Sequence, residues 1–198
     1  MLADAFFVAK AEAGKADEIN TCIACNQACL DHTFKNKRAS CLVNPRACHE
    51  TELRYIPTLN KKKLAVVGAG PAGLAAATVA AERGHDVTLF DADDKIGGQF
   101  NIAKQIPGKE DFDETLRYFG VMLHKHNVSV KLSSYVQADD LAEFDEVVVA
   151  TGIVPRTPAI PGVDHAKVLS YLDVIAHKKP VGKSVAIIGA GGIGFDVG

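Results

Sequence analysis

A β-α-β pattern occupies the middle of the chain. Residues 64–67 form a continuous apolar run, as expected of a strand that is buried on both faces. A glycine-rich turn and the alanine-rich segment LAAATVAAERG follow, and Gly84 suits the left-handed position that ends a helix. HDVTLFD then predicts a second strand. The pattern therefore predicts two parallel strands joined by a helix.

Outside this unit the pattern predicts further, shorter elements. Residues 112–127 carry one apolar stripe at helical spacing, formed by Phe112, Leu116, Phe119 and Leu123. VSVKL and EVVVATG predict two more strands, and prolines between residues 155 and 161 then break regular structure. Short helices are predicted at Ala3–Ala13 and Val168–Ala176. Near the end, SVAIIG followed by AGGIG predicts the start of a second β-α unit.

Composition and charge exclude several classes of protein. The 198 residues carry 22 Lys and Arg against 24 Asp and Glu, and the net charge of −2 leaves no basic surplus for nucleic acid. No apolar run approaches the ~20 residues of a membrane helix, and the first residues lack a cationic segment before an apolar one. We therefore expect a cytoplasmic protein that binds neither nucleic acid nor membranes.

The glycine-rich turn follows the G-x-G-x-x-G pattern. In such a turn Gly68 makes the bend, Gly70 lets the backbone approach a pyrophosphate, and Gly73 allows the helix to pack closely on the strand. Asp91 ends the second predicted strand, where a carboxylate can accept hydrogen bonds from ribose hydroxyls. The alternative is a glycine-rich turn in an empty α/β domain. The agreement of turn, helix and acidic residue favours a dinucleotide site.

Asp91 and two later signatures narrow the choice of nucleotide. The Asp91 carboxylate would repel the 2′-phosphate of NADP, so FAD or NAD is left. Gly97-Gly98-Gln99 and Ala150-Thr151-Gly152 are similar to secondary signatures of flavoproteins with two dinucleotide-binding domains. This similarity favours FAD, with contacts from Gly98, Gln99, Thr151 and Gly152.

A second glycine motif follows the predicted strand SVAIIG. Its glycines Gly189, Gly191 and Gly194 repeat the spacing of the first motif and predict a site for a nicotinamide nucleotide. The residue that would distinguish NAD from NADP ends the next strand of such a unit, which lies beyond Gly198. The choice between the two is therefore left open by the sequence.

Four cysteines within twenty residues predict a metal site. Cys22, Cys25 and Cys29 are closely spaced, and Cys41 follows. This spacing favours a 4Fe–4S cluster over zinc, since zinc sites more often pair two C-x2-C hairpins or recruit histidine. Unligated thiols are a third alternative. For Cys48 we expect a buried structural thiol, and for His32 and His49 hydrogen-bonding or capping roles.

These observations predict an α/β protein with three parts. Residues 1–60 form a helix and the irregular cysteine segment. Residues 61–157 form an incomplete Rossmann-like FAD-binding domain, and residues 158–198 begin a second Rossmann-like unit that binds NAD(P)H. Self-association is expected to be possible through the open edges of these units.

Five stretches resemble the bacterial NADPH-dependent 2,4-dienoyl-CoA reductase family over nearly the whole chain. They are CIACNQACLD, CLVNPRACHE, AVVGAGPAGLAAA, GGQFNIAKQIPGKE and IIGAGGIGFD. Trimethylamine dehydrogenase, histamine dehydrogenase and the enoate reductases are related to that family. Its full-length members begin with an FMN-bearing TIM barrel, to which nothing here corresponds. The resemblance therefore implies that the chain is a fragment, with the acyl-CoA pocket and the catalytic acid elsewhere.

The resemblance implies an electron relay from NADPH to FAD, through a 4Fe–4S cluster, to FMN. It makes Cys22, Cys25, Cys29 and Cys41 the cluster ligands. It implies FAD contacts from residues 68–73, including Ala72, from Asp91 on the ribose, and from Gln99 and Lys109 near the pyrophosphate and flavin. Val136 matches a position that holds the adenine by backbone contacts, although a plain core valine is nearly as consistent.

A second interpretation is a nucleotide-holding domain without catalysis. In trimethylamine dehydrogenase the equivalent domain resembles a reductase module but holds only ADP. The segment GGQF and the second glycine motif favour the electron-transfer interpretation.

Overall fold

A computed structural model describes residues 1–198 of the protein. Its centre is a four-stranded parallel sheet in the order β3-β2-β1-β4, with β1 at Lys63–Val67, β2 at Asp86–Phe90, β3 at Ser129–Lys131 and β4 at Glu146–Val149. The register aligns Val66 with Leu89 on one side and with Val148 on the other. The predicted α/β class is confirmed.

Six α-helices accompany the sheet. They are α1 at Phe7–Glu12, α2 at Leu30–Phe34, α3 at Pro71–Glu82, α4 at Phe100–Ala103, α5 at Phe112–Lys125 and α6 at Gly192–Val197. Short 3₁₀ turns occur at Ala16–Glu18 and Asp139–Leu141. The helix predicted at Val168–Ala176 is confined to one wide π-type turn at Leu172–Ala176. The helix predicted at Ala3–Ala13 begins only at Phe7, because Asp4 accepts the Phe6 N–H at 2.9 Å.

The hydrophobic core lies between one face of the sheet and helices α3 and α5. Alternate residues of β1 and β2 meet Leu74 of α3 and Phe119 and Leu123 of α5. The apolar stripe predicted on residues 112–127 therefore faces the core as expected. Edge strand β4 is exposed along its length, and Val149 keeps 74% of its surface accessible.

The strand predicted at SVAIIG is absent. Residues 184–189 pair with no other strand, and Ile188 is 77% exposed. The apolar pattern there is that of a buried parallel strand, but such a strand forms only when a neighbour accepts its backbone hydrogen bonds. Only the helical half of the second β-α unit, α6, is formed.

Candidate nucleotide and metal sites

The first glycine turn connects β1 to α3 and is shaped by two close approaches. Gly68 has φ +109°, and a Cβ there would overlap the carbonyl oxygen of Ala150. A Cβ on Gly73 would overlap the carbonyl oxygen of Gly68. At Gly70 a Cβ would meet nothing within 4 Å. The turn therefore packs tightly on its protein side and is open above Gly70.

Unpaired amides face this opening. Helix α3 has no side-chain cap, and the N–H groups of Ala72 and Gly73 donate to no acceptor in the protein. The first bond of the helix runs from the Leu74 N–H to the Gly70 carbonyl, at 2.9 Å. Free amides at a helix N-terminus attract anions. The turn fits the pyrophosphate of a dinucleotide by shape and by donors.

The segment GGQ closes one side of the turn. The Gly97 N–H donates to the Ala69 carbonyl at 2.8 Å, and a Cβ on Gly98 would lie 3.1 Å from the Cα of Gly70. Gly98 has φ +50°. The structure therefore brings Gly98 directly against the glycine turn, as the flavoprotein signature implies.

Asp91 lies at the end of β2 beside the same turn. Its carboxylate accepts the Ala69 N–H at 2.5 Å and the Asp93 N–H at 2.8 Å, which fixes its orientation. The Ser134 N–H donates to the Asp91 carbonyl at 2.8 Å. This bond brings the segment that contains half-buried Val136 next to the end of β2. Asp91 thus borders one end of the turn, where the ribose is expected, and Val136 follows two residues after Ser134, which is bonded to Asp91.

Three other predicted contacts have different surroundings. The Thr151 N would lie 3.0 Å from a Cβ on Gly68, so Thr151 borders the turn. The Gln99 amide donates to the Ile153 carbonyl at 3.4 Å, which brings Gln99 to the loop of Gly152. Lys109 makes no polar contact with the first turn. Its ammonium instead pairs with the Asp196 carboxylate of α6 at 2.6 Å. No local pattern indicates this ion pair, because its two residues lie 87 positions apart in the chain.

The second glycine turn has the same local geometry as the first. Gly189 has φ +113°, a Cβ on Gly194 would overlap the Gly189 carbonyl oxygen, and the surroundings of Gly191 are open. The Phe195 N–H donates to the Gly191 carbonyl at 3.1 Å. A shallow cleft of about 390 Å³ lies against it, lined by Ile187, Gly189, Ala190, Gly194, Phe195 and Gly198.

The four predicted cluster ligands lie on neighbouring loops. All five cysteines are free thiols. The Ser40 N–H donates to the Ala28 carbonyl at 2.7 Å, so the loop of Cys41 runs beside that of Cys29. Burial raises the pKa of Cys41, and the charges of Cys22 and Cys25 raise it further. The loops of Cys29 and Cys41 are therefore neighbours in the structure.

Backbone amides bond within two of these loops. The Ala24 N–H donates to the Cys22 sulfur at 3.4 Å, and the Asn44 N–H donates to the Cys41 carbonyl at 3.2 Å. Amides directed at sulfur are one means by which proteins tune iron–sulfur ligands. No three Cys, His, Asp or Glu side chains surround one point as a single metal ion requires. With four free thiols and one amide directed at the Cys22 sulfur, the loops fit an iron–sulfur cluster in donor type, but they are not gathered around one ion.

The prediction of a buried Cys48 is wrong. Cys48 is exposed and has φ +62°, because its N–H is drawn to the Glu50 carboxylate at 3.0 Å. His32 hydrogen-bonds the Arg38 carbonyl at 3.0 Å and His49 the Glu52 carboxylate at 2.8 Å, which confirms the hydrogen-bonding roles expected for both.

A buried polar centre beside the cysteine loops was missed by the sequence analysis. The Asp4 carboxylate accepts bonds from Lys10 at 2.6 Å and from the Asn20 N–H at 2.9 Å. The Asn20 side chain donates to the Val43 carbonyl at 2.7 Å. Burial alone would raise the pKa of Asp4, but Lys10 and two amides outweigh it and hold the pKa below its usual value. Isolated polar residues near a chain terminus carry no sequence pattern that identifies such a centre.

Known proteins resemble this chain over its whole length. A family model described as pyridine nucleotide-disulphide oxidoreductase matches residues 62–198. The metal reductase of Desulforamulus reducens is 39% identical, and the match covers 99% of this chain and 30% of that protein. The cinnamate reductase of Clostridium sporogenes is 37% identical with the same two coverages, 99% and 30%. A solved 2-naphthoyl-CoA reductase complex superposes with a TM-score of 0.93 at 36% identity, again over 99% and 30%.

The chain spans somewhat under a third of the length of these relatives. No helix in the structure has the length and apolar character needed to cross a bilayer. The family model covers more than half of the chain and includes the entire sheet, the first glycine turn and the second. The chain therefore belongs to the pyridine nucleotide-disulphide oxidoreductase family.

Proposed function

We propose that this chain is the electron-transfer part of a flavin- and iron–sulfur-dependent reductase. Reducing equivalents would pass from NADPH through FAD and a 4Fe–4S cluster to FMN on another part of the enzyme, where an unsaturated acyl-CoA such as a 2,4-dienoyl thioester is reduced. The observation that carries the proposal is the open turn above Gly70, with the free amides of Ala72 and Gly73 beside the oriented carboxylate of Asp91.

The residues of the first turn would bind and orient FAD. Ala72 and Gly73 supply donors to the pyrophosphate, and Asp91 supplies an acceptor for the ribose hydroxyls. Gly98, Gln99, Thr151 and Gly152 line the route from the turn toward the flavin ring. FAD, when bound, accepts a hydride and can release its electrons one at a time. The protein contributes position and charge, and the backbone packs so closely at Gly68 and Gly73 that no side chain fits at either position.

Three parts of the chain would serve three cofactors. We propose that residues 1–60 hold the cluster through Cys22, Cys25, Cys29 and Cys41, that residues 61–157 hold FAD, and that residues 158–198 begin the nicotinamide unit with Gly189, Gly191 and Gly194. Five free cysteines and a thiolate-bound cluster suit a reducing compartment, so we place the protein in the cytoplasm.

The relatives support a reductase and leave the acceptor to be tested. Their names give three acceptors of different chemistry: a metal, cinnamate and 2-naphthoyl-CoA. The identity to each is similar, between 36% and 39%. This part of the chain therefore suits a shared electron supply better than the recognition of one substrate.

A second candidate function is a nucleotide-holding domain without turnover. The first glycine turn is consistent with it, because its free amides and the Asp91 carboxylate suit the pyrophosphate and ribose of an adenine nucleotide with or without a flavin. In that case the first turn would hold a nucleotide without a flavin.

Anaerobic purification and reconstitution of the chain tests the proposal. We expect about one FAD per chain, and about four iron and four sulfide for a complete cubane. Absorbance gives the flavin, chromatography of the released nucleotide gives its identity, and colorimetric assays give iron and acid-labile sulfide. ADP without flavin would support the nucleotide-holding function, and zinc without sulfide would contradict the cluster.

A further inference from the structure

Arg117 on α5 uses its whole guanidinium group to hold the segment that leads into the first cysteine. Its Nε donates to Glu114 at 2.8 Å, and one Nη donates to the Ile19 carbonyl at 2.8 Å and to the Thr21 hydroxyl at 3.3 Å. The other Nη donates to the Asp17 carbonyl. The Thr21 hydroxyl also donates to Glu114, at 3.3 Å, which closes the network.

This network ends one residue before Cys22. Three of its bonds fix the backbone or side chain of residues 17, 19 and 21, so the position of Cys22 relative to α5 is set by Arg117. Between them, Asn20 is 7% exposed and donates to the Val43 carbonyl at 2.7 Å. Val43 lies two residues after Cys41. The loops of Cys22 and Cys41 are therefore fastened to the same helix.

The neighbouring residue of α5, Leu116, lies against Gly97, which is bonded to the nucleotide turn. A Cβ on Gly97 would lie 2.9 Å from the methyl groups of Leu116, and Gly97 donates to the Ala69 carbonyl within the first glycine turn. Leu116 also packs against the buried core cluster. Leu116 and Arg117 are consecutive, so one turn of one helix holds the cysteine segment and packs against Gly97, which is hydrogen-bonded to the nucleotide turn.

We propose that Arg117 is a positioning residue that sets the distance between the flavin site and the cluster site. This inference rests on the proposed function. Electron transfer between two centres depends on their separation, and the protein's part in a cofactor relay is to hold that separation. A lysine cannot replace the arginine, because its single ammonium does not reach the several acceptors of the planar guanidinium fork.

The test compares two variants of α5 in the full chain. Arg117→Lys keeps the charge but loses the fork. Lys125→Gln is the matched control, because Lys125 also ties α5 to this segment, through Glu18 at 2.5 Å, without touching a backbone carbonyl. Both proteins are reconstituted with iron and sulfide and loaded with FAD under anaerobic conditions.

Three readouts separate positioning from folding. In Arg117→Lys we expect an altered electron paramagnetic resonance spectrum of the reduced cluster. Iron loss to a chelator should be roughly fivefold faster or more, the factor that one net hydrogen bond represents. FAD affinity and far-ultraviolet circular dichroism should match those of Lys125→Gln. Thr21→Val, which removes one hydroxyl and leaves the bonds from Arg117 to Asp17, Ile19 and Glu114, should change the spectrum in the same direction by less and serves if Arg117→Lys does not fold.

The outcomes distinguish failure of the proposed function from failure of the positioning role of Arg117. Wild-type chain without acid-labile sulfide contradicts the proposed function and this inference with it. Wild-type chain that carries a cluster, together with Arg117→Lys and Thr21→Val variants whose spectra and iron loss equal those of Lys125→Gln, contradicts the inference alone. Equal loss of FAD and of iron in Arg117→Lys would show a general structural role and would also overturn it.

Discussion

Gly70 and Gly73 lie three residues apart in one turn, yet an added side chain meets different surroundings at each. Gly70 has extended backbone, φ −72° and ψ 177°, and open space where its Cβ would be. Gly73 lies against the Gly68 carbonyl. The sequence predicted an open approach at Gly70 and close packing at Gly73. It could do so because each glycine of the G-x-G-x-x-G pattern meets one steric requirement of the turn.

Substitution of Gly70 is expected to affect FAD binding, whereas substitution of Gly73 is expected to affect stability. Gly70→Val should leave the thermal unfolding temperature near that of the wild type and abolish FAD binding, because the side chain fills the approach path of the pyrophosphate. Gly73→Ala should destabilise the domain by about 1–3 kcal/mol, the usual cost of overpacking. Thermal unfolding and fluorescence titration with FAD measure the two effects. Wild-type affinity in Gly70→Val would show that the turn does not hold the nucleotide.

Asp4 should make the N-terminal segment sensitive to acid. Its pKa is lowered in the folded protein, so its contribution to stability is complete above its unfolded pKa of about 3.9 and is lost as the pH falls through the lower folded pKa. Asp4→Asn should lose about 1–3 kcal/mol at neutral pH, with a smaller loss at pH 2, because one buried acceptor is removed. Thermal unfolding at several pH values measures this. Asp164→Asn, at an exposed position without hydrogen bonds, is the control.

The two glycine turns show which parts of an element are determined locally. In both turns the first glycine has φ near +110° and the third glycine lies against the carbonyl of the first. Only the first turn follows a strand that is formed in the structure. The turn and the start of its helix were therefore predictable from a few adjacent residues. The strand at residues 184–189 was not, because its hydrogen bonds depend on a neighbouring strand that the local sequence does not contain.

The cysteine segment shows the opposite limit of sequence reasoning. Spacing predicted the four ligands, and the structure places the loops of Cys29 and Cys41 side by side, with an amide directed at the Cys22 sulfur. The residues that hold these loops, Asn20 and Arg117, are almost a hundred positions apart in the chain. Their roles depend on tertiary contacts, and no local pattern could have identified them.

Cys41 and Cys48 offer a matched pair for testing the ligand assignment. Cys41→Ser should abolish or greatly weaken cluster assembly, because a serine oxygen replaces one of four thiolates. Cys48→Ser should retain full iron and sulfide, since Cys48 is exposed and its backbone is turned toward Glu50. Iron and acid-labile sulfide per chain measure both. Equal assembly in the two variants would remove Cys41 from the ligand set.

Across the molecule, two apolar segments lack a packing partner on their exposed side: β4 forms as predicted, whereas the strand predicted at residues 184–189 does not. Strand β4 is exposed along its length at the edge of the sheet, and residues 184–189 pair with nothing. Exposed apolar strands seek partners. Self-association through these surfaces stays a prediction. By contrast, the core between the sheet and helices α3 and α5 follows the apolar pattern closely, because all of its apolar residues pack against one another within residues 64–123.

The 198-residue chain is expected not to transfer hydride from NADPH to FAD on its own. Hydride transfer requires the nicotinamide and flavin rings in near contact, and the rate advantage of that geometry disappears when either site is incomplete. Here the second glycine turn has no sheet behind it, and an ion pair between Lys109 and Asp196 connects its helix to the first unit. We therefore expect NADPH to bleach the FAD-loaded chain no faster than it bleaches free FAD, in anaerobic stopped-flow mixing. Dithionite, which needs no binding site, should reduce the same flavin completely. Bleaching by NADPH that exceeds the free-FAD rate would mean that the second turn already presents the nicotinamide productively and that the unpaired strand is not required.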